Sequence, residues 1–203
     1  MQNEDTDTLP GCSICRNDPP TNAVKLNCGH IFCFLCIKSA SETTGTCALC
    51  RTEIGLEFNF QEHEVLGALQ VPTAAEDGSY WFYEGFRGWW LYDKDTNQAI
   101  ENAWRSGAPS LERFLAGTVY VIDLRNMCQR ALDGYGKSRK ICRATLEMDN
   151  ILGMSGLRSE ELNSSIDMMR QADRDYQLQL QQRTGIRSWS SAWINLRCLQ
   201  YIR

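Results

Sequence analysis

Seven cysteines and one histidine between residues 12 and 50 follow the spacing C-x2-C-x12-C-x-H-x2-C-x2-C-x10-C-x2-C. Thiols and imidazoles in short pairs suit zinc, because one tight turn can present both members of a pair to a tetrahedral ion. The pairs are Cys12/Cys15, Cys28/His30, Cys33/Cys36 and Cys47/Cys50, and their eight ligands fill two closed sites. Spacing alone leaves open which pairs share an ion. Four protein ligands per ion leave no position for an activated water, so metal-assisted hydrolysis is excluded. Between Cys12 and Arg51 the basic residues are Arg16, Lys25, Lys38 and Arg51, against Asp18 and Glu42. That is too little charge to track a phosphate backbone, so protein docking remains as the role of this segment.

A second group of residues has chemistry of another kind. Residues 81–90 read WFYEGFRGWW, six of the twenty aromatic rings in the chain. Farther on, Arg125, Arg130, Lys137, Arg139, Lys140 and Arg143 face a single acid, Asp133. Cations pair with pyrophosphate and aromatic rings stack on adenine, so the combination points to a nucleotide-like ligand.

These residues need elements to hold them. The zinc segment has few large apolar residues (Ile14, Val24, Leu26, Ile31, Phe32, Phe34, Leu35, Ile37 and Leu49), a core of the size that needs a metal staple. Residues 62–70, EHEVLGALQ, read as a short helix stopped by Pro72, with His63 on a solvated surface and no catalytic role. Beyond Gly78, two aromatic strands flank a turn at residues 84–88. DTNQAIENAWRSG follows as a helix capped by Asp95 or Thr96, with Ile100, Ala103 and Trp104 on one face. Strands return around Val119 to Leu124 and in GKSRKICRATL, which makes a small α+β unit. Residues 159–185 read as a helix with Ser159 as its cap, exposed or partly disordered, and the stretch 188–203 is apolar enough to seek a partner.

Composition sets the bounds. The chain has 203 residues, 43% hydrophobic and 23% charged, with net charge −4 and pI near 5.3. It has room for two small domains, and its acidic balance argues against a coat for DNA. The polar, acidic start and the lack of an 18-residue apolar run point to a soluble chain with no membrane partner, expected in the cytoplasm and also in the nucleus. Ten cysteines in such a chain read as metal ligands or free thiols.

CSIC…CGHIFCFLC…CALCR resembles a RING finger. The resemblance implies interleaved sites: Cys12, Cys15, Cys33 and Cys36 on one zinc, with Cys28, His30, Cys47 and Cys50 on the other. It also implies a scaffold ubiquitin ligase that binds a ubiquitin-conjugating enzyme loaded with ubiquitin. Ile14 and Leu49 then make the apolar contact to that enzyme, and Arg51 bridges it to the donor ubiquitin. Where many RING fingers carry Cys-Pro, this chain has Cys47-Ala48.

Trp81, the Trp89-Trp90 pair, Glu101 and YVIDLRNMCQ resemble a WWE domain, a curved antiparallel sheet packed on one helix. RING followed by WWE is the order of the Iduna-type ubiquitin ligases. The division implied is a RING finger at 10–55, a linker at 56–78, a WWE domain at 79–158 and a tail at 159–203. What the resemblance implies as partners is poly(ADP-ribose), through its iso-ADP-ribose unit, and substrates carrying that polymer, with tankyrase-type polymerases among them. Matched ligand positions are Tyr83, Tyr120, Gln129 and Arg139, with Trp90 on the pocket wall and Lys38 reaching from the RING. Alternation together with the resemblance directs Trp81 and Trp89 to the core, and Tyr83 and Trp90 to the ligand. The chain departs from the family where Tyr-Arg after the glutamine reads Arg130-Ala131, and where a lysine pair reads Ile151-Leu152.

Two other functions compete with a polymer-activated ligase. One is a non-catalytic reader or adaptor whose RING only assembles complexes. The other is a thioester-forming ligase using Cys128 or Cys142, which is disfavoured because no histidine except His63 lies outside the zinc pattern.

Overall fold

The computed structural model describes residues 9–56, 58, 63–134, 136–158 and 165–184. Two compact units divide the chain: residues 1–70, 112–121 and 130–137 in the first, and residues 71–111, 122–129 and 138–203 in the second.

In the first unit, β1 (Ala23–Lys25) pairs with β2 (Ile31–Cys33), and α1 (Phe34–Thr44) follows β2 without a loop. Gly45, at φ 66°, ends that helix in the left-handed conformation, and its N–H returns to the Ser41 carbonyl. Val24, Leu26, Phe32, Phe34 and Ile37 are buried. Leu49 is 55% exposed and does not belong to this core.

No helix forms between residues 63 and 70. Glu64–Val65 is instead a strand, β3, set against the free edge of β1. A bare edge leaves backbone groups unpaired, and β3 supplies their partners; Leu66 N–H extends the ladder to the Ala23 carbonyl at 2.9 Å, and Lys25 pairs with Glu64 at 3.0 Å. His63 lies not on a helix surface but flat on Phe58, with centroids 4.7 Å apart and 11° between planes.

The larger sheet has eight strands in the order β11-β10-β5-β4-β9-β8-β7-β6. These are β4 (Tyr80–Glu84), β5 (Trp89–Leu91), β6 (Ser110–Leu115), β7 (Thr118–Asp123), β8 (Cys128–Ala131), β9 (Arg139–Ala144), β10 (Ile151–Met154) and β11 (Leu157–Arg158). The sheet is not wholly antiparallel, because β10 runs parallel to β5. The hairpin β4-β5 turns where expected, closed by Gly85 N–H to the Gly88 carbonyl at 2.7 Å.

Helix α2 (Lys94–Arg105) is capped by Asp93, whose carboxylate accepts from Thr96 N–H, and not by Asp95 or Thr96 themselves. Its buried face is also more polar than the apolar pattern suggests. Ile100 is fully buried, but beside it lie Asn97 and Glu101, while Trp104 stays 40% exposed with its ring edge-on to Trp81. Asn97 and Glu101 are inside because the strand beneath needs acceptors: Trp81 N–H donates to Asn97 Oδ1 at 2.8 Å, and Trp81 Nε1 to Glu101 Oε2 at 2.9 Å.

Helix α3 (Ser165–Thr184) is largely exposed, as expected, but packs one face of its first half within the second unit. Ile166 and Met169 are buried, Asp173 accepts from the Tyr80 hydroxyl at 2.9 Å, and Arg170 Nε reaches the Leu146 carbonyl at 3.0 Å. Spacings of three and four residues put all of these on one helix face. Ser159 and residues 188–203 lie outside the described residues. No helix of the described residues is long and apolar enough to cross a membrane.

Candidate functional site

The eight zinc-type ligands come together as two groups of four. Cys12, Cys15, Cys33 and Cys36 form one, and Cys28, His30, Cys47 and Cys50 the other, with the ligand atoms of each group within 4.8 Å of one another. A tetrahedral ion bound at ~2.3 Å by sulfur and ~2.0 Å by imidazole nitrogen holds its ligands roughly 3.5 to 3.8 Å apart. Cys15 Sγ to Cys33 Sγ is 3.5 Å, and His30 Nδ1 lies 3.5 Å from Cys28 Sγ and 3.6 Å from Cys47 Sγ. The groups therefore fit two structural zinc ions, with His30 ligating through Nδ1.

Electrostatics agrees with that chemistry. Hydrogen bonds from Cys33 and Cys36 hold the Cys12 thiol far below its ordinary value, while the same contacts push Cys33 and Cys36 up. Crowded sulfurs without a cation cannot all ionise, and a dication removes that conflict. Cys50 is held down to about 6, first by the Thr52 hydroxyl at 3.1 Å and then by the Thr52 backbone.

Around the zinc loops the residues expected to meet a partner differ in exposure. Leu49 and Arg51 are exposed and Ile14 is half-buried. Arg51 sits at φ 62°, held by its N–H bond to the Cys47 carbonyl in the loop that carries the last two ligands. Lys38 lies half-buried on α1 with Nζ 5.6 Å from the Phe34 ring centre. Its neighbour Ser39 donates to the Ala116 carbonyl at 2.8 Å, so the tip of the β6-β7 hairpin is tied to α1 inside the first unit. Tyr120 also belongs to that unit, half-buried on β7.

In the second unit, register decides which rings share a face. Tyr83 lies opposite Trp90 and Glu84 opposite Trp89, and directly opposed residues project to the same side. Trp81, Tyr83 and Trp90 therefore share one face, and Trp89 is on the other. The expected pairing of Trp81 with Trp89 is wrong in parity: Trp81 is fully buried, whereas Trp89 is only half-buried. Trp90 folds back over Gly85, where a β-carbon would collide with its ring nitrogen.

Tyr92, which sequence reasoning passed over, joins Tyr83 to Gln129. It is 1% exposed, its ring centre is 4.9 Å from that of Tyr83, and its hydroxyl donates to Gln129 Oε1 at 2.6 Å. Burial pushes that hydroxyl well above the ordinary tyrosine range, so it stays a donor. That bond engages Gln129 Oε1 and fixes the orientation of its amide. Arg139 stands directly opposite Gln129 on β9, exposed. Period-2 spacing from Trp90 was the signal that could have found Tyr92.

The basic run loses one member. Arg143 binds Glu101 through Nε and Nη2, both at 2.9 Å, and Asp77 through Nη1 at 2.6 Å and Nη2 at 3.0 Å. Its charge is consumed by Glu101 on α2 and by Asp77. Cys142 is buried with Sγ 3.9 Å from Met148 sulfur, which leaves no approach for a thioester.

A ring finger domain model matches residues 10–51 and a WWE domain model residues 79–143. Three similar proteins are the E3 ubiquitin-protein ligases RNF146 of Homo sapiens, rnf146 of Xenopus tropicalis and RNF146-B of Bos taurus, at 36%, 38% and 37% identity over 170 residues. Each alignment covers 83% of this chain but 46%, 53% and 48% of the respective relative, so the chain spans about half the length of these proteins.

Proposed function

This chain is a RING–WWE protein with RNF146 ligases among its relatives, and from that premise we propose that it is a RING-type E3 ubiquitin transferase switched on by poly(ADP-ribose). The observation that carries the reading is the pair of closed four-ligand groups with Leu49 and Arg51 exposed beside them. Bound zinc supplies rigidity to these loops and no reaction step.

A rigid scaffold accelerates transfer by orientation. Ile14 and Leu49 dock a ubiquitin-conjugating enzyme, and the planar fork of Arg51 holds the donor ubiquitin so that its thioester faces the attacking amine. The thioester stays on the conjugating enzyme until an acceptor lysine displaces its cysteine.

The WWE domain takes iso-ADP-ribose units of the polymer. Tyr83 and Tyr120 offer rings to the adenine, Trp90 supports the wall, Gln129 donates from its amide nitrogen and Arg139 meets a phosphate. Lys38 joins the same ligand from the RING. A ligand that favours the transfer-competent RING must in return bind more tightly when the conjugating enzyme is present. Substrates are proteins that carry the polymer, tankyrase-type polymerases included, in the cytoplasm and nucleus.

Ubiquitin chain formation with and without ADP-ribose polymer tests this. The expected result is polymer-stimulated chains for the wild type, none with Arg51→Ala, and unstimulated basal activity with Arg139→Ala. Polymer binding without any chains, across a panel of conjugating enzymes, makes the protein a non-catalytic reader instead.

A further inference from the structure

Along β6, Ser110, Glu112 and Phe114 are exposed, and Leu111, Arg113 and Leu115 form the half-buried row. An arginine in the inward row of a strand is out of place unless its charge is used. Arg113 Nε is buried and meets no hydrogen-bond partner, and no ion pair of Arg113 occurs, among the described residues. A buried donor left unmatched is costly, and the protein itself gives this Nε–H no acceptor, which leaves the half-buried guanidinium an unmet donor for an outside anion.

Its place in the sheet says what that group touches. Only Ala116 and Gly117 separate β6 from β7, and Leu124 N–H bonds the Pro109 carbonyl at 2.9 Å. Both facts give the same register, in which Arg113 lies directly opposite Tyr120 on the same side of the hairpin. On the other flank of Tyr120, the Leu132 N–H to Val119 carbonyl bond of 2.8 Å sets Ala131 opposite it. Tyr120 is thus flanked by Arg113 on β6 and Ala131 on β8.

We propose that Arg113 is a phosphate-binding residue of the ligand face, gripping ADP-ribose polymer beside the Tyr120 ring, in place of the cation that Ala131 cannot provide. The proposal rests on the reading given under Proposed function. A guanidinium fork suits the paired oxygens of a phosphate, and the aromatic neighbour keeps the contact dry.

Calorimetric titration of the zinc-loaded chain with an iso-ADP-ribose-containing polymer fragment tests it at several salt concentrations. Arg113→Met keeps the aliphatic stem and removes the charge. It is expected to weaken binding roughly tenfold or more and to lower the slope of log K against log salt by about one. Adding Ala131→Arg to Arg113→Met restores affinity if the charge beside Tyr120 is what matters. Unchanged affinity and salt slope in Arg113→Met, with Arg139→Ala still defective, overturn the role of Arg113 and leave the ligand reading intact. No binding by the wild type overturns both. Equal loss in Arg113→Met and in the double variant, at an unchanged salt slope, makes Arg113 a packing residue and also overturns the proposal.

Discussion

Glu101 and Arg143 face each other through two parallel hydrogen bonds of 2.9 Å, and the same carboxylate takes the Trp81 indole N–H and Arg105 Nε. Burial pushes the Glu101 carboxyl up, but Arg143, Trp81 and Arg105 together outweigh it and hold the group at about 2. A carboxylate depressed on folding stabilises fully above its ordinary value near 4.5 and loses that contribution as pH falls toward 2. The shift corresponds to on the order of 3 kcal/mol at neutral pH.

Glu101→Gln should therefore lower stability in urea at pH 7, and the gap to wild type should shrink between pH 4.5 and 2. Tryptophan emission is the right probe, since no tryptophan precedes Trp81 and the zinc segment stays silent. A gap that is the same at pH 7 and pH 3 speaks against the ion-pair account.

Tyr92→Phe should weaken binding of an ADP-ribose polymer fragment about three- to tenfold and lower stability by roughly 1–3 kcal/mol, because it strips the hydrogen bond that orients Gln129 and leaves the buried Oε1 unmatched. Once that orienting bond is gone, adding Gln129→Ala to Tyr92→Phe should cost less than Gln129→Ala costs in the wild type, a coupling that a double-mutant cycle measures. Additive losses would mean that Tyr92 acts by packing alone.

Much of this site was legible because its signals are local. The spacing of Cys12 to Cys50 names the ligands, the Gly85 and Gly88 pair marks the hairpin, and Asp95 to Gly107 reads as a helix, although its cap proves to be Asp93. What escaped depends on partners distant in the chain. The parity of Trp89 follows from its pairing with Glu84, and β3 exists because β1 has an edge to cover. Arg143 looked like ligand charge until Asp77 and Glu101 were brought to it across the sheet. Arg113 escaped because strand alternation was read around Val119 to Leu124, while its place in the half-buried row of β6 follows only from the sheet.

Chelation should separate the two parts of the chain. Removing metal at pH 7 should release two zinc ions per chain, counted by atomic absorption, and unfold the segment around Cys12 to Cys50, whose small core does not hold alone. Trp81 should keep its buried emission, since its partners Asn97, Glu101 and Trp104 owe nothing to the metal. Collapse of the tryptophan signal along with zinc release would show the second unit to depend on the first.

Asp173 offers a contrast in sign to Glu101. Burial raises its carboxyl and Glu147 adds to the effect, while the Tyr80 hydroxyl only partly offsets them. A carboxyl raised on folding contributes most below its ordinary value and loses that contribution as pH climbs through the raised one. Its ionised form at pH 7 is thus a burden on the docking of α3. Asp173→Asn keeps an acceptor for Tyr80 and removes the charge, so it should leave the thermal midpoint unchanged or raise it at pH 7, with the benefit vanishing near pH 3. Tyr80→Phe should lower the midpoint at pH 7, because the carboxylate then loses its donor. The Tyr80–Asp173 hydrogen bond holds α3 to this face if Tyr80→Phe lowers the midpoint while Asp173→Asn does not; a midpoint that falls in both means that the charge of Asp173 itself is needed.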